Sequence, residues 1–309
     1  MNNQGRASPR ACLVVGGDGL IGRALFDRLV SSGMQVRRTT RRAQDVDELC
    51  FRLDLDRLDL ESRAMWDFIQ AEKPMIFFAA SVTGFRQCED EPEATRRINV
   101  TNTLTMGERC LRAGCAFVYL SSNAVFSGDT PSPQEQSPPD PKSEYGKQKV
   151  AVEKGLERLT TECAGSAIAV VRLTKVVPDA SGLIQSWIAA LKRGETIHAL
   201  EDYIFSPVSL SVVIHMLAKL PFLHKAGVFH VSGSRDLSYY DFAVLMARAL
   251  GAHVSRVVPQ RSRDGVSAFR IRHTALGMTR TCKELGLIPQ APELTINDIL
   301  SGASRIESL

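Results

Sequence analysis

Short apolar runs alternate with amphipathic stretches along the first half of the chain. Ala11 to Gly16 predicts a strand, Leu20 to Ser32 carries a helical pattern that Gly33 stops, and Gln35 to Thr40 predicts a second strand. Further apolar runs at Met75 to Ala80, Ala116 to Ser121 and Ile168 to Leu173 are separated by helix-like sequence. Such alternation implies βαβ units, hence an α/β fold with a doubly wound parallel sheet and helices on both faces. In that architecture a ligand sits beyond the carboxyl ends of the strands, where strand order reverses, so the chemistry is expected just after strands. Beyond about residue 175 the pattern is less regular, with a helix near Leu183 to Lys192, a strand near Val228 to Val231 and a helix near Tyr239 to Leu250. The chain is therefore expected to divide into residues 1–174 and a smaller mixed α/β lobe, 175–309, with some crossing back into the first domain. Gly128 to Pro141, rich in Pro, Ser and acidic residues, predicts a loop. It is either a cover over a substrate or a mobile surface excursion.

The first strand runs into Gly16-Gly-Asp-Gly-Leu-Ile-Gly22, a GxxGxxG turn that opens a helix. Gly16 permits the tight turn, Gly19 lets backbone N–H groups approach a pyrophosphate at the helix N-terminus, and Gly22 lets the helix pack close to the sheet. Leu20 and Ile21, in the first helical turn, belong to the same cradle. This is the Rossmann-type signature of a dinucleotide. At the end of the second strand an acidic residue would take the adenosine ribose 2′-hydroxyl and favour NAD(H). The chain has Thr40-Arg41-Arg42 there. A neutral Thr40 removes repulsion towards a 2′-phosphate, and Arg41 can clamp it, so NADP(H) is favoured over NAD(H).

Two further signals lie at and after the fourth apolar run. Phe117-Val-Tyr-Leu-Ser-Ser122 is a strand ending in hydroxyls, and Tyr145-Gly-Lys-Gln-Lys149 puts a tyrosine and a lysine about one turn apart on one helix face. A free phenol, with a pKa of about 10, is a poor acid at neutral pH. A neighbouring ammonium stabilises the phenolate and makes proton exchange with a carbonyl or alcohol oxygen feasible. Lys149 can also hold the nicotinamide ribose, and Ser122 can hold the same substrate oxygen.

Composition narrows the alternatives. The formal net charge is only +4 over 309 residues, with no long basic run, so nucleic acid is not an expected partner. No apolar stretch reaches membrane-spanning length, and the polar N-terminus does not have a signal-peptide layout, which makes a soluble cytoplasmic protein the expectation. The cysteines Cys12, Cys50, Cys88, Cys110, Cys115, Cys163 and Cys282 form no CxxC pair and read as reduced thiols. His198, His215, His224, His230, His253 and His273 show no HxxxH or HExxH spacing, so no metal site is expected. His230 reads as a core histidine, Trp66 and Trp187 as packing residues. Cys88 reads as packing ahead of an auxiliary acid–base role.

Together these residues resemble the extended short-chain dehydrogenase/reductase family, over nearly the whole chain. Asp54-Leu55 stands where the family contacts adenine, Ala79-Ala80 matches the segment lining the cofactor, and Asn99 matches the family's helix asparagine. Ser122, Tyr145 and Lys149 match its catalytic trio. Within the family the sequence is most similar to sugar-nucleotide ketoreductases of the dTDP-4-dehydrorhamnose reductase type. That likeness runs through Ser121 to Gly128, Asp202 to Pro207, Val228 to Gly233 and Arg272 to Leu276. The resemblance implies NADPH-dependent reduction of a keto group on a nucleotide-linked sugar, with Tyr145 as proton donor. It also implies a nucleotide-sugar pocket between the sheet and the C-terminal lobe, and a homodimer as a candidate assembly. A sugar-nucleotide epimerase on the same fold and a non-catalytic NADP-binding regulatory subunit are the alternatives. The substrate side departs from the pattern. Asn123-Ala124 stands in place of Asp-Tyr, Phe205 in place of a glycine, and no acid falls within Ser209 to Ile214. The missing Asp-Glu pair after Ser122 argues against the 4,6-dehydratase branch.

Overall fold

The computed structural model describes residues 11–57, 62–163, 167–178, 182–223, 225–262 and 271–306. The chain begins with β1 (Ala11–Val15), α1 (Leu20–Ser31), β2 (Gln35–Thr40), β3 (Cys50–Arg52), α2 (Arg63–Glu72) and β4 (Met75–Phe78). Then come α3 (Phe85–Asp90), α4 (Pro92–Arg96), a π-helical turn (Arg97–Asn102), α5 (Thr103–Arg112), β5 (Phe117–Ser122), α6 (Glu144–Glu162) and β6 (Ile168–Leu173). The remainder comprises β7 (Lys175–Val177), α7 (Leu183–Lys192), β8 (Ile197–Leu200), β9 (Ile204–Phe205), β10 (Pro207–Ser209) and α8 (Leu210–Leu223). It ends with β11 (Gly227–Val231), β12 (Leu237–Ser238), α9 (Tyr239–Ala249), β13 (Val257–Gln260), α10 (Thr279–Leu285) and α11 (Pro292–Ile306).

The main sheet has seven strands in the order β11-β6-β5-β4-β1-β2-β3. β1 pairs in parallel with both β2 and β4, β2 with β3, and β4 with β5. This is the Rossmann-type doubly wound arrangement expected from the alternation. β1 and β4 are buried along their whole length, as strands covered on both faces must be, which is why they read as unbroken apolar runs. The order reverses at β1: the chain winds out through β2 and β3, then returns to β4 on the other side. The loops after β1 and β4 therefore flank the crevice in which such folds bind their ligands.

The chain folds into two compact units. The first takes the described parts of Met1–Ser121, Ser143–Val171 and Ile214–Val228; the second takes those of Ser122–Lys142, Arg172–Val213 and Phe229–Leu309. The first has a core of Leu13, Val15, Ile76, Phe78, Phe117 and Tyr119 with Val152 and Leu156 from α6. The core of the second is built from α7, α9 and α11 around Trp187, Phe205, Phe242 and Ile299. Its strands form three two-stranded pieces, β10 with β7 and β13 with β8 in parallel, and β12 with β9 antiparallel. Trp187 packs edge-on against Tyr239, and Trp66 lies under the Arg109 guanidinium at 4.0 Å.

The segment from Gly128 to Pro141 lacks regular structure, but it is tied down within the second unit. The buried Glu135 carboxylate accepts the Thr281 N–H at 2.8 Å, the Thr281 hydroxyl at 2.9 Å and the Arg280 N–H at 3.3 Å. Pro133 O accepts the Gly277 N–H, and Asp140 closes the base of the loop through Ser127 N–H and Val125 O. These anchors are unlike those of a mobile excursion. His230 is the satisfied core histidine expected. Its Nδ1 lies 2.7 Å from Gly277 O and its Nε2 3.4 Å from Arg172, and burial pushes its pKa down to about 4. The five cysteines at 12, 50, 88, 110 and 115 are buried thiols, and burial pushes Cys12 and Cys115 up to about 12. Among the described residues no cluster of His, Cys, Asp and Glu could hold a metal ion, and no helix is long and apolar enough to cross a membrane. His224 lies outside the described residues.

Candidate active site

The glycine turn is built by backbone conformation and close approach. Gly16 has φ +88°, and a Cβ there would fall 2.7 Å from Ala80 N in the loop after β4. A Cβ on Gly22 would collide with Gly16 O. The turn is held by Gly19 N–H to Gly16 O at 3.1 Å, Gly16 N–H to the Thr39 hydroxyl at 3.0 Å and Gly17 N–H to Thr39 O at 3.0 Å. Gly19 is the N-cap of α1 and has no side chain to cap it, and the first turn carries no acid. Leu20, Ile21 and Gly22 thus present an uncapped, electropositive helix end. A cavity of about 510 Å³ opens in front of it, lined by Gly16, Asp18, Gly19, Thr40, Arg41, Asp54, Leu55, Ala79 and Ala80 with neighbouring residues. Its size and place suit part of a dinucleotide, and the cradle is one that added Cβ atoms would fill.

The structure adds to that cavity a group the sequence reading missed. Thr40 is buried, and its hydroxyl donates to the Asp18 carboxylate at 2.7 Å while accepting the Arg42 N–H at 3.1 Å. Asp18 also faces Arg42 Nε at 3.8 Å, and Arg42 pairs with Asp45 at 3.1 Å. Arg41 lines the cavity, exposed, and takes part in no ion pair among the described residues. Elsewhere on the cavity wall, Asp54 accepts the Asp56 N–H at 3.1 Å, and Asp56 pairs with Arg97.

Asn99 sits in the π-helical turn, buried, and uses its whole amide. Its Oδ1 accepts Val82 N–H at 2.7 Å and the Ser81 hydroxyl at 3.0 Å; its Nδ2 donates to Val82 O at 2.9 Å and to Gln148 Oε1 at 2.7 Å. It therefore ties the loop lining the cavity to α6. Gln148 continues the chain of bonds to the Thr95 hydroxyl at 2.9 Å.

On α6, Tyr145, Gln148, Lys149, Val152, Glu153 and Leu156 follow the i, i+3, i+4, i+7, i+8, i+11 spacing of one face, and all are buried. Ser143 caps the helix through Gly146 N–H. Lys149, 3% exposed, donates from Nζ to Leu120 O on β5 at 3.0 Å. Its Nζ lies 4.7 Å from the Tyr119 ring centroid and 5.6 Å from that of Tyr145. Burial lowers the Lys149 pKa to about 8, with Glu153 and Cys88 pulling the other way. The ammonium is thus still mostly charged at neutral pH. Glu153 accepts the Ser121 hydroxyl one turn further along α6. The Tyr145 ring packs 5.2 Å from that of Phe85. Cys88 is buried, with Sγ directed at Val82 O at 3.7 Å, a packing position as expected.

Tyr145 and Lys149 come together on one face of α6, while Gly16, Gly19, Thr40, Arg41, Asp54, Leu55, Ala79 and Ala80 come together around the cavity. Ser122 ends β5. Its hydroxyl lies 3.3 Å from Asn123 Oδ1 and accepts the Ala124 N–H at 3.2 Å, and the stretch Ser122–Lys142 belongs to the second unit. There Asn123 reaches Thr274 O at 3.4 Å, and Asp236 gathers the N–H groups of Thr274 and Ala275. Besides Asp18, sequence reading missed Gln148 and Glu153. Both were findable as polar residues at three and eight positions from Tyr145, on the face that Tyr145 and Lys149 already define.

A doubly wound sheet, a glycine-rich turn on its first strand and a YxxxK face on α6 define an extended short-chain dehydrogenase/reductase. The chain belongs to the RmlD substrate binding domain family, whose model matches residues 10–304. It is similar to the spore coat polysaccharide biosynthesis protein SpsK of Bacillus subtilis, at 25% identity over 90% of this chain and 92% of that protein. It is also similar to the methionine adenosyltransferase 2 subunit beta of Bos taurus, at 24% identity over 92% of this chain and 84% of that one. Among solved structures, the dTDP-4-dehydrorhamnose reductase of Bacillus anthracis in complex with NADP superposes with a TM-score of 0.78. That match has 21% identity and covers 96% of this chain and 99% of that one.

Proposed function

We propose that the protein is a ketoreductase that uses a nicotinamide dinucleotide, NADP(H) ahead of NAD(H), to reduce a keto group on a nucleotide-linked sugar. The observation that carries this reading is the buried face of α6, where Tyr145 and an ammonium held by Leu120 O lie together. The glycine cradle of the same unit supplies the cofactor site. Gly16, Gly19, Leu20, Ile21 and Gly22 would hold the pyrophosphate, Thr40 and Arg41 the adenosine ribose side, and Asp54, Leu55, Ala79 and Ala80 the adenine side. When bound, the reduced nicotinamide supplies the hydride taken by the carbonyl carbon.

Tyr145 donates its phenolic proton to the carbonyl oxygen as that oxygen gains charge, and regains a proton from solvent. Lys149 stabilises the phenolate and holds a ribose hydroxyl. It can do so because Glu153 offsets part of the desolvation that would otherwise neutralise it. Ser122, two residues beyond the carbonyl that holds Lys149, is assigned the second hydrogen bond to the substrate oxygen. Support for a sugar-nucleotide substrate comes from the similarity to the dTDP-4-dehydrorhamnose reductase and to a polysaccharide biosynthesis protein. Support for NADP(H) comes from the neutral Thr40 and from Arg41 at the cavity, which has no ion-pair partner among the described residues.

The test is Tyr145→Phe. Turnover of NADPH with keto-sugar nucleotides is expected to fall by about 10²–10⁴-fold, the usual worth of a general acid, with the Kd for NADPH unchanged. Wild-type turnover in the variant would overturn the assignment. One observation favours a second reading: the similarity to a subunit of methionine adenosyltransferase covers 92% of this chain. NADPH binding with no turnover across a panel of keto-sugar nucleotides would support a dinucleotide-binding subunit instead.

A further inference from the structure

We infer that Asp18 is a cofactor-specificity residue that accepts the adenosine ribose 2′-hydroxyl, so that NADH binds nearly as well as NADPH. This rests on the dinucleotide reading above and refines it. At the end of β2 the expected carboxylate is absent, but the structure supplies one from the glycine turn, 22 residues earlier in the chain. Asp18 lines the cavity beside Thr40 and Arg41. One of its oxygens, Oδ2, takes the Thr40 hydroxyl and faces Arg42 Nε; Oδ1 has no partner among the described residues.

That arrangement changes what each neighbour can offer a 2′-phosphate. The Thr40 hydroxyl already gives its single proton to Asp18, so it can donate to a phosphate only by giving up a 2.7 Å bond to a carboxylate. Arg42 lies between Asp18 and Asp45, with its charge offset on both sides. Among the described residues lining the cavity, Arg41 alone is left to meet the extra charge. The residues lining the cavity include three carboxylates, Asp18, Asp54 and Asp56, against one guanidinium, Arg41. Asp56 pairs with Arg97, and Asp18 shares Arg42 with Asp45, which leaves Asp54 and part of the Asp18 charge against one guanidinium. A phosphate dianion gains from Arg41 and loses to Asp18, whereas a neutral hydroxyl has an ionised acceptor waiting. Thr40 and Arg41 therefore favour the phosphate, and Asp18 draws the balance back.

The experiment is a titration of the purified full chain, without sugar substrate, with NADH and with NADPH, followed by nicotinamide fluorescence. It compares the wild type, Asp18→Asn and Asp18→Ser. For the wild type, the two Kd values are expected to lie within about tenfold of each other. In Asp18→Ser, NADH should weaken by about tenfold or more, the scale of a hydrogen bond to a charged group, while NADPH stays level or tightens. Asp18→Asn keeps the side-chain shape and an oxygen for Thr40, so the same shift there assigns it to the charge rather than to a collapsed turn. An NADH affinity indifferent to both substitutions, a parallel loss of NADPH, or a wild type selecting NADPH by more than a hundredfold would overturn the inference. Each of those results leaves dinucleotide binding standing. A wild type that binds neither dinucleotide would overturn the dinucleotide reading, and this inference with it.

Discussion

Lys149 is an ammonium held in a fully buried position. An ammonium so fully removed from water is disfavoured, and the surroundings answer only in part, with one carbonyl, two ring faces and Glu153. The groups facing it are Glu153 from its own helix, Cys88 from α3, and Tyr119 and Tyr145. Because its folded pKa, about 8, lies below the ordinary 10.5, the unfolded chain binds more protons between those values, and stability rises with pH across that window. Lys149→Met removes this dependence. The stability of wild type relative to the variant should therefore grow from pH 8 to pH 10.5, by on the order of 3 kcal/mol, as checked by urea unfolding of both proteins at several pH values. Parallel curves would show that the ammonium is not strained. The one-turn spacing of Tyr145 and Lys149 is a local property, so sequence reading reached both. Asp18 is different: its meaning comes from Thr40, 22 positions away, and only the pairing of β1 with β2 brings the two together. Gln148 and Glu153 were overlooked because polar residues on a helix ordinarily mark the solvent face. Here they line a buried one.

Elements were legible in proportion to how much of their stability is local. The strands at Gln35–Thr40 and Ile168–Leu173 and the helix at Leu183–Lys192 fall on the residues expected. The first strand stops one residue short of the expected Gly16, which turns to positive φ instead. β3 is three residues long and leaves no period to read. The short pairs of the second unit depend on distant partners, Val257 with Ile197 across 60 positions and Pro207 with Lys175 across 32, and no local pattern announces them. α8 is apolar around much of its circumference, with only a narrow exposed stripe of Ser211, His215 and Lys219 to mark its period. The loop from Gly128 to Pro141 was recognisable by its prolines, but its anchor was not, because Glu135 earns its place only against Arg280 and Thr281. Burial alone would raise the Glu135 pKa, yet the hydrogen bonds from Thr281 and Arg280 hold it below the ordinary carboxylate value. The anchor is therefore present at neutral pH and lost as pH falls below the carboxylate range. Glu135→Ala leaves two N–H groups at the start of α10 without their acceptor and should cost roughly 1–3 kcal/mol. Amide exchange should speed up in 128–141 and in the first turn of α10, and unchanged exchange there would show that other contacts hold the loop.

At the scale of the whole molecule, alternation predicted that a parallel sheet exists, but strand order is not written in any single segment. The reversal at β1 brings Gly16 against Ala80, a contact across 64 positions that glycine alone can accommodate, and the cavity opens in front of it. Every cavity-lining residue belongs to the first unit, in segments running from Val15 to Ile98. A dinucleotide bound there contacts the folded first unit and has no comparable site in the unfolded chain, so it must stabilise the protein by mass action. At about a hundred times its Kd, NADPH should add roughly 2.7 kcal/mol. The melting temperature should accordingly rise with the logarithm of NADPH concentration, whatever sugar the protein acts on. Amide exchange should slow in 15–22, 39–41, 53–56 and 79–84, the segments that meet the cavity, with Leu20 to Gly22 protected most, because the N–H groups that open α1 would face a bound pyrophosphate while those of Gly16, Gly17 and Gly19 are already bonded within the turn. A melting temperature that ignores NADPH, or protection confined to the second unit, would mean that the cradle is only a structural turn and that the dinucleotide binds elsewhere or not at all.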